Sequence, residues 1–259
     1  SVVSGGVRYN ATYCLLTNGK IVNFKTQSRN CLRPDYSRIN FPEPGNKYQT
    51  PLGFLPMNEL KTKATKTGTA MEDVSDLNTY FSSTKVLNNR VYYFSGFGDY
   101  TISDPITFLN NVASNGSGAG TIVVAGNLHV NANLFYEDSK LIGKIGNLAS
   151  VAFIVLGDVI IDPAVDHLVG SWLVLGNDSL EACLNGTNIC GQFSTGNDTA
   201  APTQLTVQGL VLARKFNLQR NFRQGLEAAE KFIYDGRVNV NTPPGLSSVS
   251  FNLPQWNGQ

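Results

Sequence analysis

The sequence is poor in the residues that carry out most chemistry. Its 259 residues include 2 His, 2 Met, 2 Trp and 4 Cys, and only 15% are charged, against roughly 25% in an average soluble domain. A Ser-His-Asp or Cys-His site would have to use His129 or His167. Neither stands near a nucleophile-elbow pattern, so both read as structural or surface residues. Gly116-Ser117-Gly118-Ala119-Gly120 lacks the Lys-Ser/Thr of a phosphate loop and precedes a strand-like run, so it reads as a turn. No Cys pair has CxxC spacing and no His lies near a Cys, which argues against zinc. No cofactor or metal is expected. The formal net charge is +1 with no basic stripe, so the footprint of a nucleic-acid binder is missing. The densest basic stretch, Lys61 to Lys66, contains no aromatic residue and reads as a solvated loop. No apolar run reaches the ~18 residues of a membrane span. The greasiest stretches, 151–161 and 168–175, are bounded by Gly, Asp and Pro, as buried strands are.

What remains is a chain of strand and turn formers. Asn numbers 27 and Gly 25, Glu and Lys are scarce, and Val, Ile, Thr, Tyr and Phe are plentiful. One pattern recurs. Ile122-Val123-Val124-Ala125-Gly126-Asn127 is echoed by Phe153-Ile154-Val155-Leu156-Gly157-Asp158, by Trp172-Leu173-Val174-Leu175-Gly176-Asn177 and by Leu205-Thr206-Val207-Gln208-Gly209-Leu210. The step from Gly157 to Gly176 is 19 residues, the length of one rung; the steps of 31 and 33 fit a rung plus an insertion. The pattern predicts a mainly β fold, a parallel β-helix or solenoid, in which alternate residues face a shared lumen and Gly turns the corner. Asn or Asp after the Gly would satisfy turn backbone groups and stack into ladders. The alternative is a β-sandwich whose strands share a pattern.

Two regions are expected. Residues 1–88 read as a β-rich segment with a linker-like end: Asn18-Gly19 signals a hairpin with Ile21–Phe24 returning, a short helix fits Met57–Lys63, and Lys61–Ser75 reads as a long surface loop. Residues 89–259 read as the solenoid with a cap and tail. Phe222, Leu226, Ala229 and Ile233 share one helical face, which predicts a capping helix near Gly225–Tyr234. Val238–Asn241 and Leu246–Leu253 alternate like strands. The cysteines fall into local pairs, Cys14 with Cys31 and Cys183 with Cys190, which predicts two disulfides and an oxidising compartment; four buried thiols are the alternative. The chain opens on Ser1 with neither initiator Met nor signal segment, which reads as a processed form. Sequons at Asn10, Asn115, Asn177, Asn185 and Asn197 mark polar loops.

Tyr92-Tyr93, Gly98-Asp99-Tyr100-Thr101-Ile102, Thr121–Leu128, Phe216-Asn217-Leu218-Gln219-Arg220, Ala229–Arg237 and Pro243-Pro244-Gly245-Leu246 carry a resemblance. Over about residues 89–246 the chain resembles uncharacterised exported proteins of candidate-phyla bacteria. The resemblance implies a secreted or envelope-anchored protein, extracellular or at the cell surface. It carries no catalytic residues.

The function expected is therefore non-enzymatic: a structural protein of the cell surface that associates with copies of itself in a layer, filament or appendage, through the solenoid ends or an exchanged strand at 246–253. The alternative is a carbohydrate-binding or carbohydrate-active β-helix with Asp158, Asp162 and Asp166 around calcium. Trp172 reads as core, and Trp256 as a docking anchor.

Overall fold

The β-branched runs become strands, and nearly all of them pair in parallel. The computed structural model describes residues 55–138, 143–176, 191–196, 203–220 and 228–247, with the backbone of four short strands between residues 2 and 22. Of those four, β1 (Val2–Ser4) and β2 (Val7–Tyr9) pair antiparallel. β3 (Leu16–Thr17) and β4 (Ile21–Val22) do not form the hairpin that Asn18-Gly19 predicts. They join two different sheets, in parallel with later strands. A corner between sheets calls for the same turn chemistry as a hairpin, so the dipeptide alone does not separate the two.

Sheet I runs β5 (Ala70–Met71), β7 (Arg90–Phe94), β10 (Ala119–Val124), β13 (Ser150–Val155), β15 (His167–Val174), β17 (Leu205–Ala213) and β19 (Glu230–Ile233), with β3 also on β17. Sheet II runs β8 (Asp99–Ile102), β11 (Asn127–Val130), β14 (Val159–Ile161), β16 (Gln192–Ser194), β18 (Lys215–Asn217) and β4. Sheet III holds β6 (Thr84–Lys85), β9 (Ile106–Phe108) and β12 (Leu134–Tyr136). From β7 onward the chain passes from sheet I to sheet II repeatedly, and on two passes continues to sheet III. The fold is mainly β, with parallel sheets and few helices.

Parallel register puts like on like. In sheet I, Tyr92, Ile122, Phe153, Trp172 and Val211 stand opposite one another in turn. Phe153 and Trp172 stack with ring centroids 4.1 Å apart at 8°. Phe108 lies 6.2 Å from Phe153, Phe193 6.2 Å from Trp172 and Phe216 6.1 Å from Phe193, so aromatic rings run through the interior as a chain. Each such pair adds about 0.5–1.5 kcal/mol beyond its burial.

The outer face of sheet I is buried as well. Val91, Tyr93, Val123, Ala152, Ile154, Leu173 and Leu175 pack with Leu60 and Ala64 of helix α1 (Met57–Lys66), and with Val238 and Leu246. Burial on both faces explains why these strands read as unbroken apolar runs rather than alternating ones. Helix α1 extends to Lys66, past the expected Lys63, because Leu60 and Ala64 sit one turn apart on the face that meets the sheet. The stretch expected to be a loop from Lys61 is therefore helical as far as Lys66.

At the β5 end, Leu77 and Phe81, flanking and within the short helix α2 (Asn78–Phe81), are fully buried in the main core. Tyr80, Phe81, Tyr92 and Phe94 cluster there edge to face. Lys85 Nζ lies 4.2 Å from the Tyr80 ring centroid and 5.3 Å from that of Tyr92, and burial lowers its pKa.

Three expectations change. Glu230–Ile233 is strand β19, pairing with β17, and not part of a capping helix; residues 221–227 lie outside the described residues. The helical spacing of Phe222 to Ile233 is also compatible with strand pairing once a sheet edge is on offer. Val238–Asn241 alternates like a strand, yet Arg237–Val240 is a short helix, α3. Third, Gly126, Gly157 and Gly176 are equivalent through the β10–β13–β15 register, but Gly209 pairs with Gly170. The repeat has three copies in register and a fourth displaced along its strand.

From β19 the chain runs back across the outer face of sheet I. Arg237 Nη1 donates to Ala149 O (3.3 Å), and its guanidinium lies 4.3 Å from the Tyr136 ring centroid. Asn241 Nδ2 donates to Gly146 O (3.0 Å) and Leu148 O (2.6 Å). Thr121 Oγ1 donates to Pro244 O (2.6 Å), and Leu246 reaches the cluster of Leu60. This return segment spans sheet I from its last strand toward its first.

Candidate functional site

Asn127 and Asp158, the polar residues of the first two repeat copies, help to hold one strand to the next. Asn127 Nδ2 donates to Asp99 Oδ1 (2.8 Å), Asn127 Oδ1 accepts from Asp158 N (3.0 Å), and Asp158 Oδ1 accepts from Gln192 N (2.7 Å). Each side chain thus satisfies a backbone group one strand further on, where the chain turns from sheet I to sheet II. The preceding glycines let the corners approach: a Cβ on Gly157 would lie 2.4 Å from Gly126 C and O. A separate side-chain bond of the same kind is made by Asn110, whose Oδ1 accepts from Ala149 N (2.7 Å).

The three acids singled out by sequence are engaged separately. Asp158 belongs to the corner ladder. Asp162 Oδ1 accepts from Ala164 N (2.8 Å), a local turn, and its side chain is exposed. Asp166 Oδ1 accepts from Asn133 Nδ2 (2.7 Å), while Asn133 Oδ1 accepts from Asp166 N and His167 N. Among the described residues no group of three or more His, Cys, Asp or Glu side chains is placed to hold a metal ion.

Of the two histidines, His129 lies at the surface with Nε2 3.7 Å from Asp99 Oδ1. His167 stacks on Phe135, centroids 5.2 Å apart at 15°. Burial holds its pKa below the ordinary value, against the pull of Asp166. Trp172 is fully buried, as expected of core. Cys14, Cys31, Cys183, Cys190 and Trp256 lie outside the described residues. Lys61, Lys63 and Lys66 stand on α1, along which two open grooves run, both lined by Asn58, Thr62 and Lys66.

Sequence reasoning missed a buried polar cluster around Arg220. Arg220 is 7% exposed. Its Nε donates to Thr195 O (2.7 Å), its Nη2 to Asp162 O (2.8 Å) and its backbone N to Glu230 Oε1 (3.1 Å). Thr195 Oγ1 donates to the same carboxylate oxygen (2.7 Å). Burial raises the Glu230 pKa, partly offset by these donors. The cluster ties β19 to the turns after β14 and β16. Its contacts are mostly to backbone oxygens, which suits a fastener rather than a reaction centre. Nε and Nη2 are matched by backbone oxygens, which offsets much of the cost of burying an arginine so fully, while the buried Nη1 has no hydrogen-bond partner.

Asp158 and Asp162 are thus each committed to a backbone N–H, Asp166 to the Asn133 amide and His167 to the Phe135 ring. The surface feature they leave is the Phe135–His167 stack beside Asn133 and Asp166. Comparison with protein-family models, with curated proteins and with solved structures finds no match.

Proposed function

We propose that the chain forms a parallel β-helix and serves as a non-enzymatic structural protein of the cell surface, self-associating in a layer, filament or appendage. The corner ladder of Asp99, Asn127, Asp158 and Gln192 carries this reading. The repeat places its polar side chains where they bind the next strand, and its apolar ones where they bury each other. Repetition of that kind favours a rigid body that presents a surface. The order in which the chain visits the sheets supports the helix. The cysteine pairing expected from sequence and the resemblance to exported proteins support the location.

Native protein imaged by negative stain, with size-exclusion chromatography over a range of concentrations, tests the proposal. Ordered assemblies or a concentration-dependent oligomer are expected. A strict monomer at high concentration overturns it.

One observation favours the carbohydrate-binding alternative. The Phe135–His167 stack offers a flat face beside the amide of Asn133 and the carboxylate of Asp166, groups of the kind that hold sugars. A glycan array decides it: signal lost in Phe135→Ala supports binding, and a blank array retires it.

A further inference from the structure

We propose that Asn115 is an N-glycosylation acceptor, and that its glycan lies over the exposed side chains of Val112 and Ile145. Asn115-Gly116-Ser117 is one of five sequons in the chain, and the other four lie outside the described residues. Its turn is built to present the acceptor. Gly116 N donates to Ala113 O (2.9 Å), closing the turn. Asn147 Nδ2 donates to Ala113 O (3.1 Å) and Gly116 O (2.9 Å), Asn111 Nδ2 to Ser117 O (3.2 Å), and Lys144 Nζ to Ser114 O (3.0 Å). All these bonds hold the turn from its flanks and its base, and Asn115 itself is exposed. The middle sequon position is glycine for a packing reason: a Cβ on Gly116 would fall 2.2 Å from Asn111 Cγ.

A second observation concerns the surface beside the acceptor. Val112 is 86% and Ile145 59% exposed, the two most exposed large apolar side chains described. They flank the same turn, since segments 111–117 and 144–147 are hydrogen-bonded together. Two exposed apolar side chains are an ordinary surface feature by themselves, but a glycan at Asn115 would rise from the very turn that they flank. A sugar attached at Asn115 has apolar ring faces to lay on them and hydroxyls to keep in water.

The reaction joins Asn115 Nδ2 to the anomeric carbon of an oligosaccharide carried on a lipid pyrophosphate. The carbon–oxygen bond to phosphate breaks, lipid pyrophosphate leaves, and the amide gives up one proton. The competing reaction, cyclisation by attack of Gly116 N on the Asn115 side chain, is disfavoured because that N–H is held by Ala113 O.

The inference rests on the exported location proposed above and not on self-association. The full chain is therefore secreted from a eukaryotic cell that glycosylates, which supplies donor and enzyme whatever the native compartment. Peptides are mapped after amidase release of glycans in heavy-oxygen water. Asn115 is expected to return as heavy-oxygen Asp. N115Q and S117A should each lose one glycan, and S117T should retain it. An unmodified Asn115 in secreted chain, or Asp at 115 without heavy oxygen, overturns the site. Hydroxyl-radical labelling of Val112 should fall in the glycosylated protein; equal labelling before and after glycan release overturns the landing surface. Assembly, read by chromatography of the same samples, is a separate outcome.

Discussion

Gly209 stands opposite Gly170 so closely that a Cβ on Gly209 would fall 1.8 Å from the Gly170 carbonyl oxygen. Both residues have positive φ, +109° at Gly170 and +155° at Gly209. The pair sits inside two long strands, not at a corner, and it lets β15 and β17 stay in register across eight residue pairs, from His167–Thr206 to Val174–Ala213. Each glycine is needed for its backbone angle and for the space it leaves.

Gly209→Ala is therefore expected to cost about 2–5 kcal/mol, from strain and overpacking together. Gly236→Ala, where a Cβ meets nothing within 4 Å, should change stability by less than about 1 kcal/mol. Chemical denaturation of both variants checks the contrast; equal losses would mean that the close approach is not the cause.

Trp172 carries the centre of the aromatic chain, and its buried Nε1 has no hydrogen-bond partner. Trp172→Ala should cost about 3–5 kcal/mol. Trp172→Phe should cost clearly less, because it keeps a ring against Phe153 and removes the unpaired donor. Thermal melts of the two variants rank them.

The corner ladder predicts an order at Asn127. Asn127→Ala removes the acceptor for Asp158 N and should cost about 1–2 kcal/mol. Asn127→Asp keeps that acceptor but sets a carboxylate against Asp99 in place of the amide donor. Its loss should shrink as salt is added, while that of the alanine variant should not. Denaturant titrations at low and high ionic strength separate the two.

His167 predicts a pH dependence. Its folded pKa is depressed below 6.5 by burial. Above pH 6.5 the imidazole is neutral in both folded and unfolded chain, and its contribution is whole. As pH falls below 6.5 the unfolded chain takes up the proton first, so stability declines until the folded pKa is passed. Glu230 has the opposite sign, since its folded pKa is raised: its contribution is full below 4.5 and lost as pH rises through the folded value. The difference between wild type and His167→Phe isolates the histidine. It should be flat above pH 6.5 and slope below it.

Much of the sheet architecture was legible because parallel register repeats chemistry. Phe153-Ile154-Val155 and Trp172-Leu173-Val174 are equivalent in sequence and opposite in space. Gly209 misled because an apolar strand reads the same after a shift along its own period, and Gly170, its true partner, sits inside a run that gives no turn signal. The Asp158 ladder could be anticipated from the Gly-Asp pattern, though the sequence does not say which backbone group each carboxylate binds. Arg220 could not be anticipated at all. Its Nη2 bonds Asp162 O, a residue 58 positions away, and nothing near it in sequence marks it as buried. Helix α3 was hidden by Val238-Asn239-Val240-Asn241, whose alternation arises because Val238 alone faces the sheet while Val240 is 55% exposed.

The return segment has a thermodynamic consequence. A stack whose strands touch only their neighbours can fray from either end, losing one layer at a time. Here Arg237, Asn241, Pro244 and Leu246 bind residues that precede them by dozens of positions, so the segment after β19 is latched onto strands and a helix from much earlier in the chain. Peeling the terminal strand then loosens the far side as well. Such a molecule melts in one sharp step, and the latch cannot close before residues 237–246 have been made.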